Sequence, residues 1–129
     1  MEAILNRFEH GDFAPYGAML LRITLGVMWL AHGLFKLMVF GVAGLAAWLP
    51  SAGFPSWTAA PLIGAELLAG ALILAGVYGR FVSVVMLPVL IGATTVHVAN
   101  GWVFSNAGGG WEYPVFLIVA SIVHATQRD

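Results

Sequence analysis

Residues 16–38, YGAMLLRITLGVMWLAHGLFKLM, decide the fold of this chain. The stretch is apolar for long enough to cross about 30 Å of hydrocarbon as one helix, at a rise of about 1.5 Å per residue. Pro15 stands just before it, a residue suited to the first turn of a helix. Within the stretch Arg22, Trp29 and Lys36 recur at heptad spacing, Gly26 and Gly33 fall between them, and His32 lies one turn before Lys36. A narrow stripe of polar and small residues on an otherwise apolar helix is the pattern of a surface turned into a membrane bundle.

The rest of the chain repeats the theme. A second apolar span covers residues 58–78, with Pro61 in its first turn, and a third covers residues 81–100. Gly79 and Arg80 join these two tightly, which predicts an antiparallel hairpin. Pro88 inside the third span predicts a kink there. A fourth span, residues 112–126, is short enough to sit tilted or to be extended by its flanks. Residues 39–57 carry Gly41, Gly44, Pro50, Gly53 and Pro55 around an apolar centre, LAAWL at 45–49, which reads as a short interfacial helix. Residues 101–111, GWVFSNAGGGW, read as a glycine-rich loop. The expected fold is an all-α integral membrane protein: a four-transmembrane-helix bundle with a short interfacial helix after the first span, one domain over residues 1–129, ending in two short tails.

Composition agrees. Of 129 residues, 60 % are hydrophobic and 9 % charged, and mean hydropathy is +0.93, whereas soluble domains carry about 25 % charged residues. So little charge could not cover a surface in water, which makes the lipid bilayer the natural partner. A net charge of -1 and the absence of a Lys/Arg run leave no field for nucleic acid. With no cysteine, the chain by itself offers no disulfide relay, thiolate metal site or Cys-ligated cluster, and no metal site is expected. Residues 1–16 lack the basic segment, apolar core and cleavage site of a signal peptide. Arg7, Arg80 and Arg128 fall on one side of a four-span arrangement and Lys36 on the other, which places both termini in the cytoplasm and the 39–57 and 101–111 loops outside.

Ionisable groups within spans cost about 2.5–3.5 kcal/mol each on insertion scales, so they face the bundle interior and pair. The candidates are Arg22, His32, Lys36, Glu66, His97 and Glu112. Arg22 lies about 10 Å in from the inner end of span one and Glu66 about 12 Å in from the outer end of span two, within reach of a long side chain. The reading therefore pairs Arg22 with Glu66, as structural glue, and Lys36 with Glu112. His32, Lys36, His97 and Glu112 gather in the outer third and suggest an outward-facing pocket, walled by Trp29, Trp102 and Trp111. Against that reading, Lys36 could simply snorkel to the interface, and His97, like His124, could be an ordinary buried histidine. Gly26, Gly33, Gly64, Ala65, Ala69, Gly70 and Gly76 permit close helix approach and read as packing.

These residues resemble a known family. Arg22-Ile-Thr-Leu-Gly26 with His32-Gly33-Leu-Phe-Lys36 looks like the first-span signature of the DoxX family. Glu66-Leu-Leu-Ala-Gly70 and Gly76-Val-Tyr-Gly-Arg80 resemble its second span and turn, and His97-Val-Ala-Asn-Gly101 with Gly108-Gly-Gly-Trp-Glu112-Tyr its third-span end and fourth-span start. The resemblance runs from about Arg22 to the C-terminal region. It implies a four-helix protein of the bacterial inner membrane, in a family named after a subunit of a thiosulfate:quinone oxidoreductase and with relatives in thiol-redox membrane complexes.

Two functions of different class follow. One is a redox-associated subunit, part of a quinone-linked oxidoreductase if it is an enzyme, whose pocket of His32, Lys36, Glu66, His97 and Glu112 takes a quinone or a small anion such as thiosulfate. The other is a non-enzymatic scaffold or anchor that docks a partner protein. A homo-oligomer or a membrane-complex subunit fits either. Haem held between His32 and His97 is a weaker alternative, since two in-span histidines are thin ground for an axial pair.

Overall fold

Glycine and proline punctuate the chain, and in the computed structural model, which describes residues 1–127, they end or bend its helices. The described residues are helix, turn and loop without strand. Helix α1 covers Glu2–Glu9 and α2 covers Ala14–Phe35, with Pro15 in its first turn. A π turn, Lys36–Phe40, follows and ends at Gly41, whose φ of 70° glycine adopts without strain. Helix α3, Gly41–Trp48, then runs through the 3-10 turn Leu49–Ala52 and the left-handed Gly53. After a second 3-10 turn, Ser56–Thr58, comes α4, Ala59–Ala75. Its end is closed by two reciprocal bonds: Val77 N–H donates to Leu72 O (2.9 Å) and Gly76 N–H to Ile73 O (3.1 Å), the arrangement that a left-handed glycine past a helix end makes available.

The third apolar segment is two helices, α5 (Gly79–Val85) and α6 (Leu87–His97), continued by the 3-10 turn Val98–Asn100. They meet at 41°, at the break where Pro88 enters the first turn of α6. The expected kink is present, because proline withholds the N–H that would have continued the ladder. Helix α7 covers Glu112–Thr126, 15 residues. Length and composition make two helices fit to cross a membrane, Ala14–Ala52 and Ser56–Ala75, and a third if the bent pair α5–α6 counts as one.

Helix α2 packs antiparallel against α4, and α7 against both α5 and α6. The buried cluster at their centre includes Leu25, Trp29, Ile73, Met86 and Leu90. A second cluster, Leu45, Leu49, Ala59 and Ile63, ties α3 to the start of α4. Large apolar side chains such as Leu20, Leu68, Ile91 and Phe116 point outward and stay exposed. A bundle for water shows the opposite pattern; this surface suits hydrocarbon.

Two details differ from expectation. The N-terminal tail is the helix α1, in which Ile4, Leu5 and Phe8 form an apolar stripe, with Phe8 and Arg7 both against Phe13. Gly64 faces open space, so it is not part of the helix seam. Arg128, counted above toward orientation, lies outside the described residues.

Candidate functional site

The seam between α2 and α4 sets the site. A Cβ on Gly26 would fall 2.9 Å from Leu74, one on Gly70 2.7 Å from Leu30, and one on Gly33 2.9 Å from Leu67. Each step up α2 is thus matched by one step down α4, and the backbones touch where only hydrogen fits. This register carries Lys36 to the level of Glu66. The Lys36 ammonium donates to both carboxylate oxygens, at 2.7 and 2.8 Å, while Glu66 is buried, its side chain 2 % exposed.

The same register overturns the pairing of Arg22 with Glu66. Arg22 lies beside Gly76, at the other end of α4, and donates to the carbonyls of Ile73 (3.1 Å) and Leu74 (2.6 Å) in that helix's last turn. Depth counted from each span's end ignored the antiparallel stagger, which separates Arg22 from Glu66 by more than two turns of α4. The pairing of Lys36 with Glu112 is also replaced. Glu112 accepts from the Phe104 backbone N–H (2.8 Å), and its own N–H donates to Trp102 O (3.1 Å), so this carboxylate ties down the 101–111 loop.

A cavity of about 440 Å³ opens beside the Lys36–Glu66 pair, within the usual range of small-molecule sites. Of the residues expected at the site it collects Trp29, His32, Lys36, Glu66 and His97. Glu112 and Trp102 instead border a separate, more open depression, and Trp111 borders neither, standing edge-on to Trp102 at 4.4 Å. The remaining wall is aliphatic and aromatic, with Trp48, Phe54 and Tyr113 among its members. Those three were missed. Tyr113 stacks on His32 with ring centroids 6.2 Å apart; its place beside Glu112 at the start of the fourth span was the available signal. Phe54 sits in a Gly-Phe-Pro connector that gives no sign of reaching across to Gly92 of α6.

Both cavity histidines have their tautomer set by backbone carbonyls, which can only accept. His32 Nδ1 lies 2.8 Å from Met28 O. His97 Nδ1 lies 3.1 Å from Gly109 O, which also accepts from Asn100 at 2.9 Å. Each Nδ1 therefore carries a proton, and in the neutral rings each Nε2 is left as an acceptor. The pairing of Lys36 with Glu66 cancels charge locally, so the cavity is a largely apolar volume edged by two imidazole rings and an internally compensated ion pair. Among the described residues no group of three His, Cys, Asp or Glu side chains could hold a metal ion.

Comparison with known proteins adds the lineage. The DoxX family model matches residues 17–99, which include every element of the α2–α4 seam and the Lys36–Glu66 pair. The chain belongs to the DoxX family. Among its DoxX relatives is CatD of Bacillus subtilis strain 168, provisionally named an oxidoreductase, which is 32 % identical over 106 residues, covering 82 % of this chain and 75 % of CatD. No solved structure matches this DoxX chain. The family match ends at residue 99, so the Gly108–Tyr113 part of the resemblance lies beyond it.

Proposed function

We propose that this DoxX-family chain is a four-span protein of the bacterial inner membrane whose outward-facing cavity binds a quinone, as a redox-associated subunit. Helix α7 acts as the fourth, short span, and α5–α6 as one kinked span. Both termini are cytoplasmic, with Arg7 and Arg80 on the inner side and α3 lying at the outer interface. The cavity itself is the observation that carries the reading: about 440 Å³, largely apolar, with His32, His97 and the Lys36–Glu66 pair among its lining. A small anion such as thiosulfate would use little of that volume and would find Lys36 already neutralised by Glu66. A flat, neutral, lipid-soluble ring fits the volume, and the hydroxyls of its reduced, quinol form can donate to the Nε2 acceptors.

A bound quinone supplies two-electron chemistry coupled to protons. The chain's share is to hold the ring and to take or give protons at the Nε2 atoms of His32 and His97. It carries no cysteine, so electrons pass to or from a partner subunit. The name of CatD is in keeping with this assignment.

The test is a titration of purified protein in mild detergent with ubiquinone-1, followed by calorimetry. Saturable binding that weakens at least fivefold in His32→Ala and His97→Ala is the expected result. No binding to intact protein, together with recovery of one stoichiometric partner from mild detergent, would instead establish the non-enzymatic scaffold. The Soret region of the same sample decides the haem alternative: an absorbance peak there would replace the quinone with haem between the two histidines. Because the chain lacks cysteine, single substitutions Ser105→Cys and, at the exposed turn before α5, Tyr78→Cys report topology directly. An impermeant maleimide should label the first from outside intact spheroplasts and the second only after lysis.

A further inference from the structure

A carboxylate and four aromatic rings meet at the second depression, which is lined by Trp102, Phe104, Glu112, Tyr113, Val115 and Phe116. Backbone bonds hold its two sides together. The N–H groups of Trp111 and Glu112 donate to Gly101 O (3.0 Å) and Trp102 O (3.1 Å), and the Phe104 N–H donates to Glu112 Oε1 (2.8 Å). Gly110 lets the arms of the loop close, since a Cβ there would collide with the carbonyls of Trp102 and Val103. The Trp102 ring stands edge-on to Trp111, and the Phe104 and Tyr113 rings meet edge-on with centroids 5.6 Å apart. Glu112 Oε2 accepts no hydrogen bond from the described residues and is not among the buried unpartnered atoms, so it stays reachable. No Lys or Arg stands between Phe81 and Gln127, and among the described residues Glu112 makes no ion pair.

We propose that this depression binds the primary ammonium headgroup of a membrane lipid, an aminophospholipid. Aromatic rings attract a cation to their faces, and the open carboxylate oxygen adds a charge-assisted acceptor. Its full negative charge outweighs the roughly +0.5 elementary charge of the helix N-terminus beside it. The acceptor selects an ammonium that bears N–H over a quaternary one, which has no proton to donate, and it repels an anionic headgroup. The lipid origin follows from what adjoins the depression. Phe116, Val119 and Val123 run on from it at i, i+3 and i+7, an exposed apolar stripe along α7. An acyl chain laid on that stripe keeps its headgroup at the N-terminal end of the helix, where Trp102 stands as tryptophans do at a membrane interface. The site requires α7 to border the bilayer, as proposed above. It does not require the quinone, since among the described residues only Tyr113 lines both the depression and the cavity.

The experiment is native mass spectrometry of the purified chain in mild detergent. The chain is offered an equimolar mixture of phosphatidylethanolamine, phosphatidylcholine and phosphatidylglycerol with identical acyl chains. One phosphatidylethanolamine should be retained with a preference of about fivefold over either of the others, the scale of one charged contact at a part-exposed site. Glu112→Gln keeps an oxygen for the Phe104 N–H and removes the charge, so the variant should stay folded and lose the preference. Phe116→Leu keeps the apolar stripe and removes one exposed ring, and the preference should fall about twofold. A preference that survives Glu112→Gln, or equal retention of phosphatidylcholine or phosphatidylglycerol by wild type, would overturn the proposal. If Glu112→Gln does not fold, Phe116→Leu decides, and an unchanged preference there overturns it. Displacement of the bound lipid by millimolar ethanolamine hydrochloride would overturn the lipid origin and leave a site for a free amine.

Discussion

The two ends of this helical assembly bury similar residues to different purpose. At the end that the proposed orientation places inside, Arg22 caps the last-turn carbonyls of α4, Ser83 and His124 are wholly buried and hydrogen-bonded to each other at 2.7 Å, and neither cavity is bordered by any of them. A cation at a helix C-terminus also meets the negative end of the helix dipole. Ser121 is the exception there, with a buried hydroxyl that has no partner. At the other end, Glu66, Lys36, His32 and His97 border a cavity, and among the described residues neither histidine Nε2 is hydrogen-bonded. A buried polar residue is thus a poor sign of function by itself. What distinguishes the outer end is unspent hydrogen-bonding capacity next to empty volume.

The comparison can be broken most forcefully at Glu66. Glu66→Ala should cost about 3–5 kcal/mol, because it leaves the Lys36 ammonium beside apolar walls without its counter-charge. Thermal unfolding in detergent measures this, and Lys36→Met added to Glu66→Met should recover most of the loss. If the single and double variants unfold alike, the pair does not hold the outer end together. The seam comes next: Gly70→Val forces a side chain against Leu30 and should cost about 1–3 kcal/mol. Because that seam aligns Lys36 with Glu66, ubiquinone-1 binding should fall along with stability.

Ser83→Ala at the inner end should cost about 1–3 kcal/mol, since His124 Nδ1 loses its hydroxyl partner in a buried site. Quinone affinity should be unchanged, and a change beyond twofold would show that the two ends are coupled. The smallest effect on stability belongs to Gly92→Leu. A Cβ at position 92 meets Phe54 only at ordinary contact distance, 3.5 Å, so unfolding should shift by less than about 1 kcal/mol. The longer side chain would narrow the cavity wall between Phe54 and α6, and ubiquinone-1 affinity should drop severalfold.

Much was fixed by the linear order of residues. Apolar stretches between glycines and prolines placed the helices 59–75, 79–97 and 112–126 within a few residues of where they stand, since helix length and helix breaks are local matters of hydrocarbon burial and backbone sterics. Pro88 announced its bend, and the ordered motifs announced the DoxX family. The membership of the site was partly visible too, because ionisable residues inside apolar helices are rare enough to mark themselves. The partners were not. Lys36 meets Glu66 and Arg22 meets helix-end carbonyls because Gly26, Gly33 and Gly70 set one register between α2 and α4, and a register is a property of two surfaces in contact. Glu112 likewise left the site for the 101–111 loop, through hydrogen bonds made only once that loop had closed. The cavity has the same origin: it exists where α3, the α2–α4 seam and the segment after the bend at Pro88 together leave a volume unfilled. The sequence by itself determined which segments form the apolar helices and which polar residues go with them. Tertiary packing alone decided which of those residues neutralise one another and which remain free to bind.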